Sequence, residues 1–216
     1  MRSPNHGPRR DGLRPELVVL HYTAMTECAA AEKALCDPAR EVSAHYLVSR
    51  TGEVIQLVDE KARAWHAGAG NWRGAGDVNS RSIGIELDND GVSPFAAPLM
   101  DALEGLLRGI LERWSIPPEG VIAHSDMAPE RKSDPGPRFD WQRLARQGLA
   151  IWPDPAPLGT VDSDRFRADA LAFGYPDVSD DLLLRALRLR FRPSVSGPLD
   201  AADCAIAAEL AARYGR

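Results

Sequence analysis

Two histidines and an aspartate carry the strongest chemical signal in the chain. His21 closes the apolar run Glu16-Leu17-Val18-Val19-Leu20, and His124 closes Val121-Ile122-Ala123. Both runs read as buried strands, and an α/β sheet opens its site at the carboxyl ends of its strands. Asp134 follows ten residues after His124, inside Arg131-Lys132-Ser133-Asp134-Pro135-Gly136. Two imidazoles and a carboxylate form an open Zn²⁺ site whose fourth position takes water, and the cation there stabilises hydroxide near neutral pH. By spacing alone the set is loose, since roughly 100 residues separate the histidines and no compact ligand motif spans them. Two strand-end histidines that merely make hydrogen bonds fit the same pattern.

Glu86 sits in Ser82-Ile83-Gly84-Ile85-Glu86-Leu87, a central-strand pattern. A carboxylate facing the buried side of such a strand is costly unless a cation lies near, whereas a solvent-facing edge position needs no partner. Between Ala64 and Val78 the chain has four glycines and two tryptophans without helical or strand periodicity, which marks a long functional loop. Trp65, Asn71, Trp72 and Arg73 in it suit sugar rings, peptide carbonyls and carboxylates. Packing of Trp65 beneath the loop is the competing role. Asn79 either bonds a peptide substrate or caps the loop.

The elements that must position these residues follow in mixed α/β order. Met25 to Cys36 is helix-forming and stops before Asp37-Pro38. Residues 43–48 and 53–58 form a hairpin about Ser49-Arg50-Thr51-Gly52. Pro98 to Ser115 carries Leu99, Leu103, Leu106, Leu107, Ile110, Leu111 and Trp114 at helical spacing, and a last helix covers about Trp141 to Gly148. The expected domains are a loose polar arm at 1–14, an α/β catalytic domain at 15–151, a Pro-rich linker at 152–159 and a three-helix unit at 160–216. In that unit Arg185, Arg188, Arg190 and Arg192 look like a basic stripe. With Leu184, Leu187 and Phe191 as the buried face, three of them belong to the solvated side.

Composition narrows the partners. Lys plus Arg is 26 against 31 Asp plus Glu, a net charge of −5, which disfavours nucleic acid. Three cysteines, Cys28, Cys36 and Cys204, match neither a zinc knuckle nor paired disulfides and read as free thiols of a reducing compartment. No apolar run of roughly 18 residues spans a membrane. No apolar leader precedes His21, so the expected location is the cytoplasm, or the envelope if a leader was removed.

Several stretches together resemble the zinc-dependent N-acetylmuramoyl-L-alanine amidases of the AmpD/AmiD type, in order over about residues 15–145. They are Leu20-His21-Tyr22-Thr23-Ala24, Ser43-Ala44-His45-Tyr46-Leu47-Val48, Ala64-Trp65-His66-Ala67-Gly68, residues 79–87, Ala123-His124-Ser125-Asp126 and Lys132-Ser133-Asp134-Pro135-Gly136. After the linker, Phe173-Gly174-Tyr175, Ala186-Leu187 to Phe191-Arg192-Pro193 and Gly197-Pro198-Leu199-Asp200 resemble a small helical peptidoglycan-binding domain. The resemblance implies a mixed β-sheet flanked by helices, followed by a small all-α unit. It implies zinc on His21, His124 and Asp134, with Glu86 as acid/base and Lys132 supporting the transition state. Many relatives of this fold carry cysteine where Asp134 stands.

The implied reaction is hydrolysis of the amide between the lactyl group of N-acetylmuramic acid, in its ordinary or 1,6-anhydro form, and L-alanine of the stem peptide. The implied partner is peptidoglycan or a muropeptide, with no protein partner. His45 and His66 lie in family motifs as hydrogen-bonding residues of the core and the groove, His66 counting among the substrate-groove residues. Two alternatives remain open from the sequence: a recognition module that does not cut, and a phage-type endolysin.

Overall fold

The computed structural model describes residues 2–155 and 159–215. A five-stranded sheet is built from β2 (Leu17–Tyr22), β3 (Tyr46–Val48), β4 (Val54–Gln56), β6 (Ser82–Leu87) and β7 (Val121–Ala123), in the order β4-β3-β6-β2-β7. Only β4, the edge strand of the expected hairpin, is antiparallel; β3, β6, β2 and β7 run parallel. The central strands are buried on both faces, which is why β2 and β6 read as continuous apolar runs. A second, two-stranded sheet pairs β1 (His6–Pro8) with β5 (Ala62–Ala64).

Period two sorts β2 and its neighbours between two faces. Val18, Leu20, Ile83, Ile85 and Leu87 pack on Leu99, Met100, Leu103, Leu107 and Ile110 of α3 (Ala97–Trp114). Helix α1 (Cys28–Leu35) brings Ala31 and Leu35 against Leu47 and Leu57 at the β3 side. Leu17, Val19 and Ile122 share a third cluster with Phe166, Phe173, Tyr175, Leu183, Leu187 and Phe191. These last residues belong to α6 (Ser163–Phe173), α7 (Asp180–Phe191), α8 (Ala201–Tyr214) and the turn after α6. Asp162 and Asp200 cap α6 and α8 through their carboxylates. The three helices therefore share a core with the sheet. Of the linker residues 152–159, Trp152 packs its ring on Phe191, while residues 156–158 lie outside the described residues.

Two expectations are corrected here. The polar arm is not loose: β1 pairs with β5, Ser3 Oγ donates to Leu35 O at 2.6 Å, and Asn5 Nδ2 donates to Asp37 O and Val42 O at 2.8 Å each. Polar side chains can be buried where backbone carbonyls accept from them, and those acceptors come from distant sequence. Nor does the arginine stripe of α7 face water. Arg188 and Arg190 are buried, paired with Asp203 and Asp126 at 2.6 Å each, while Arg185 is exposed. A helical wheel shows which face is apolar but not that another element supplies a carboxylate to that face.

Candidate active site

Strand parity explains why the predicted residues meet. His21 continues the Leu17–Val19 face of β2, and in the parallel register it lies beside Glu86 of β6. Leu20 pairs with Ala123, so His124, the first residue of α4 (His124–Met127), emerges next to His21 at the same end of the sheet. Asp134 returns to this point on the following loop, where Ser125 N–H donates to Asp134 O at 3.0 Å. Gly136 takes φ +79° immediately after this turn, against the ring of Tyr22.

The hydrogen-bond polarity can be followed outward to inward. Ser82 Oγ–H donates to Val78 O at 2.5 Å, so the Ser82 oxygen accepts from His66 Nε2–H at 3.1 Å. His66 Nδ1 is then a lone pair that accepts from His21 Nε2–H at 3.0 Å, which leaves His21 Nδ1 unprotonated. Independently, His124 Nε2–H donates to Ala67 O at 3.0 Å, which in the neutral tautomer puts the ring's lone pair on Nδ1. These two Nδ1 atoms lie 2.8 Å apart, each 3.0 Å from Asp134 Oδ2. Three lone pairs converging at this distance repel one another unless a cation sits among them. The donor set fits a metal, and the outer bonds fix each imidazole's tautomer as metal sites require.

The electrostatics agree. Burial, reinforced by His124, lowers His21 to about 4, and burial beside His21 and His45 holds His66 well below its ordinary value, so both rings are neutral. Glu86 is different. Its Oε2 is sealed from solvent without a hydrogen bond, and burial together with the Asp134 charge raises its pKa well above the carboxylate norm, Lys132 opposing. A buried carboxyl whose charged form is disfavoured, and which faces a cation site, is suited to accept and return protons.

Glu86, Lys132 and the three clustered residues line one cleft of about 410 Å³. Its walls include Tyr22, Thr23, Met25, Val42, Trp65, His66 and Arg131. Trp65 is half-buried there, its backbone N–H donating to Ser43 Oγ. His66 reaches the cleft but spends both ring nitrogens on His21 and Ser82, so it orients a ligand and has no free donor for a substrate. It lies directly over Gly84, where an added Cβ would come within 2.3 Å of its Cγ.

The other predicted groove residues lie elsewhere. Trp72 has no exposed surface and stacks edge-on against Phe173 and Tyr175, which removes it from any sugar. Arg73 donates to Tyr214 O, so with Trp72 it packs the far half of the Gly-rich loop against the C-terminal helices, while Asn71 N–H ties the loop to Met127 O of α4. Asn79 Oδ1 accepts from the N–H groups of His66 and Ala67, the loop-holding alternative. Sequence reasoning missed Arg131, whose Nε donates to Ala69 O at 2.9 Å and clamps the 67–69 segment to the Asp134 loop. Its place beside Lys132 was the available signal.

Comparison with known proteins identifies the family. The family model for N-acetylmuramoyl-L-alanine amidase matches residues 11–137. The chain is 38% identical to the N-acetylmuramoyl-L-alanine amidase AmiD of Escherichia coli strain K12, over 94% of this chain and 84% of that protein. The structure of E. coli AmiD with the substrate anhydro-N-acetylmuramic acid-L-Ala-D-gamma-Glu-L-Lys superposes with a TM-score of 0.85 and 36% identity, covering 100% of this chain and 93% of that one. AmpDh3 from Pseudomonas aeruginosa, in complex with anhydromuramic pentapeptide, gives 0.78 and 35% identity over 96% and 95%. The two strand-end histidines and the glutamate between them thus stand on the fold these enzymes share, and the chain belongs to the N-acetylmuramoyl-L-alanine amidase family.

Proposed function

We propose that the chain hydrolyses the amide joining N-acetylmuramic acid, including its 1,6-anhydro form, to L-alanine of the stem peptide, with Zn²⁺ held by His21, His124 and Asp134. One observation carries the reading: three lone pairs converge beside Glu86, whose sealed Oε2 has no hydrogen-bond partner, in an open cleft. Zn²⁺ bound there supplies Lewis acidity toward the lactyl carbonyl and toward water.

The chain's own groups do the rest. Glu86 takes a proton from the attacking water and delivers it to the amide nitrogen, which leaves poorly unless protonated. Lys132, beside Glu86 on the cleft wall, presents a fixed positive charge to the developing oxyanion. His66 and Ala67 O hold the two imidazoles in the tautomers that present Nδ1. Trp65 offers an apolar face to sugar or peptide. The C-terminal helices serve as a small peptidoglycan-binding unit. A complete ligand set together with Glu86 favours cutting over recognition alone.

The test is elemental analysis of the purified protein paired with digestion of anhydromuropeptides. About one zinc per chain is expected, with stem peptide released, release stopped by chelation and restored by zinc. A chain that binds peptidoglycan yet leaves it intact with zinc added overturns the proposal.

A further inference from the structure

We propose that α7 is a positioning device of the active site: Arg190 and Arg185 hold the segment from His124 to Asp134 so that Lys132 and the metal ligands at its two ends keep their register. The proposal rests on the amidase reading for its catalytic consequence. Its structural part stands alone.

The segment has little regular structure of its own. Only α4 is helical, and beyond it Arg131 N–H and Lys132 N–H share a single acceptor, Ala128 O. Beside the Ser125 N–H bond to Asp134 O and the Arg131 clamp on residues 67–69, what holds it comes from α7. The Arg190 guanidinium donates to Asp126 Oδ2 at 2.6 Å and to Val121 O at 3.0 Å, and it stacks 4.3 Å over the Trp141 ring. Asp126 Oδ2 also accepts from Ala123 N–H at 2.8 Å, and Tyr175 OH donates to Oδ1 at 3.3 Å. One buried cation thus locks the end of β7 and the first turn after it, which is where His124 is set.

Arg185 acts at the other end. It is exposed on α7, yet its Nη2 donates to Pro129 O at 2.5 Å and to Lys132 O at 3.3 Å. Those carbonyls belong to the stretch that aims Lys132. The two carbonyls engaged by Arg185 Nη2 belong to this chain, a contact that wall binding alone does not explain. Arg185 and Arg190 act as positioning residues, since their hydrogen bonds go to Pro129, Lys132, Asp126 and Val121 and not to the metal ligands.

The test uses the full chain with Arg185→Ala and Arg185→Lys, because an exposed arginine can be removed without unfolding. Hydrogen exchange over residues 125–136 is compared with that over α3, and kcat and KM are measured on anhydromuramyl-tripeptide beside the unsubstituted protein. Expected for Arg185→Ala is faster exchange confined to 125–136 and a loss of kcat on the order of tenfold with KM nearly unchanged, as for a misplaced catalytic group. Arg185→Lys, which reaches one carbonyl, should recover part of kcat. Unaltered exchange, or altered exchange with full kcat, overturns the proposal. If the unsubstituted protein releases no stem peptide, the amidase reading has failed, and the exchange comparison alone decides whether α7 orders the loop.

Discussion

Lowering the pH from 7.5 to 5.0 should remove about 2 kcal/mol of stability through His45 alone. This ring is fully buried, with Nδ1 accepting Gly84 N–H at 2.9 Å and Nε2–H donating to Ala62 O at 3.2 Å. Protonating Nδ1 would break the Gly84 bond, and the Arg9 guanidinium stands 3.3 Å from Nε2. Burial is the largest cause, and it lowers the pKa to about 3, with Glu60 and Asp59 giving partial relief. The sign follows from linkage. Below about 6.5 the unfolded chain binds a proton that the native chain refuses, so stability falls as pH drops and continues to fall until about pH 3. At pH 5 the unfolded state has gained about 1.5 pK units of proton binding, which at 1.36 kcal/mol per unit is about 2 kcal/mol. For a chain of this size that is a Tm change of roughly 4–8 °C. Other groups titrate in the same interval, and so does metal binding, so the assay is a difference. Urea unfolding at both pH values is compared between the native chain and His45→Asn, whose Oδ1 can accept from Gly84 N–H but cannot titrate. The variant should lose about 2 kcal/mol less than the parent over this interval. Equal losses would refute the claim that His45 is locked neutral by the Gly84 bond.

Glu86→Gln keeps the shape of the cleft but removes the proton carrier, so kcat should fall by roughly 10²–10⁴ while elemental analysis still finds zinc. Zinc loss would instead place Glu86 among the ligands. His124→Ala should lose both metal and turnover, read by the same two measurements. Gly84→Ala forces its Cβ to within 2.3 Å of His66 Cγ, which pushes that ring off His21; zinc affinity by competitive titration should drop roughly 10- to 100-fold. Arg190→Met strands Asp126 as a buried charge, so urea unfolding should show a loss of about 3–5 kcal/mol.

The parts of the site legible in the sequence are those set by local pattern. β2 and β7 are short apolar runs ending in histidine, and strand parity with the parallel register then carries His21, Glu86 and His124 to one place. Lys132 and Asp134 were legible through the motif that surrounds them. What was not legible depends on contacts between distant segments. Trp72 and Arg73 sit in a Gly-rich loop that has the composition of a binding loop, and only the position of α6 and α8 shows that they are packed from behind. The arm reads as loose because its acceptors, such as Leu35 O and Val42 O, are carbonyls more than thirty residues away. Arg190 reads as solvated because its partner is on α4.

One face of the sheet carries both the catalytic end and the seat of the C-terminal helices, and that coupling has a structural consequence. Along β2 the face runs Leu17, Val19, His21; along β7 it runs Ile122 and then His124. A shift of one residue in either strand would send its histidine to the α3 side, because side chains alternate with period two. The registers are held by what Leu17, Val19 and Ile122 bury against, and in this chain that is the cluster of Phe166, Phe173, Leu183, Leu187 and Phe191. The same apolar contacts that seat the three helices therefore keep the metal ligands facing the cleft. A cavity cut at Phe173 or Leu187 should consequently weaken the metal site as well as the fold, even though neither residue lines the cleft.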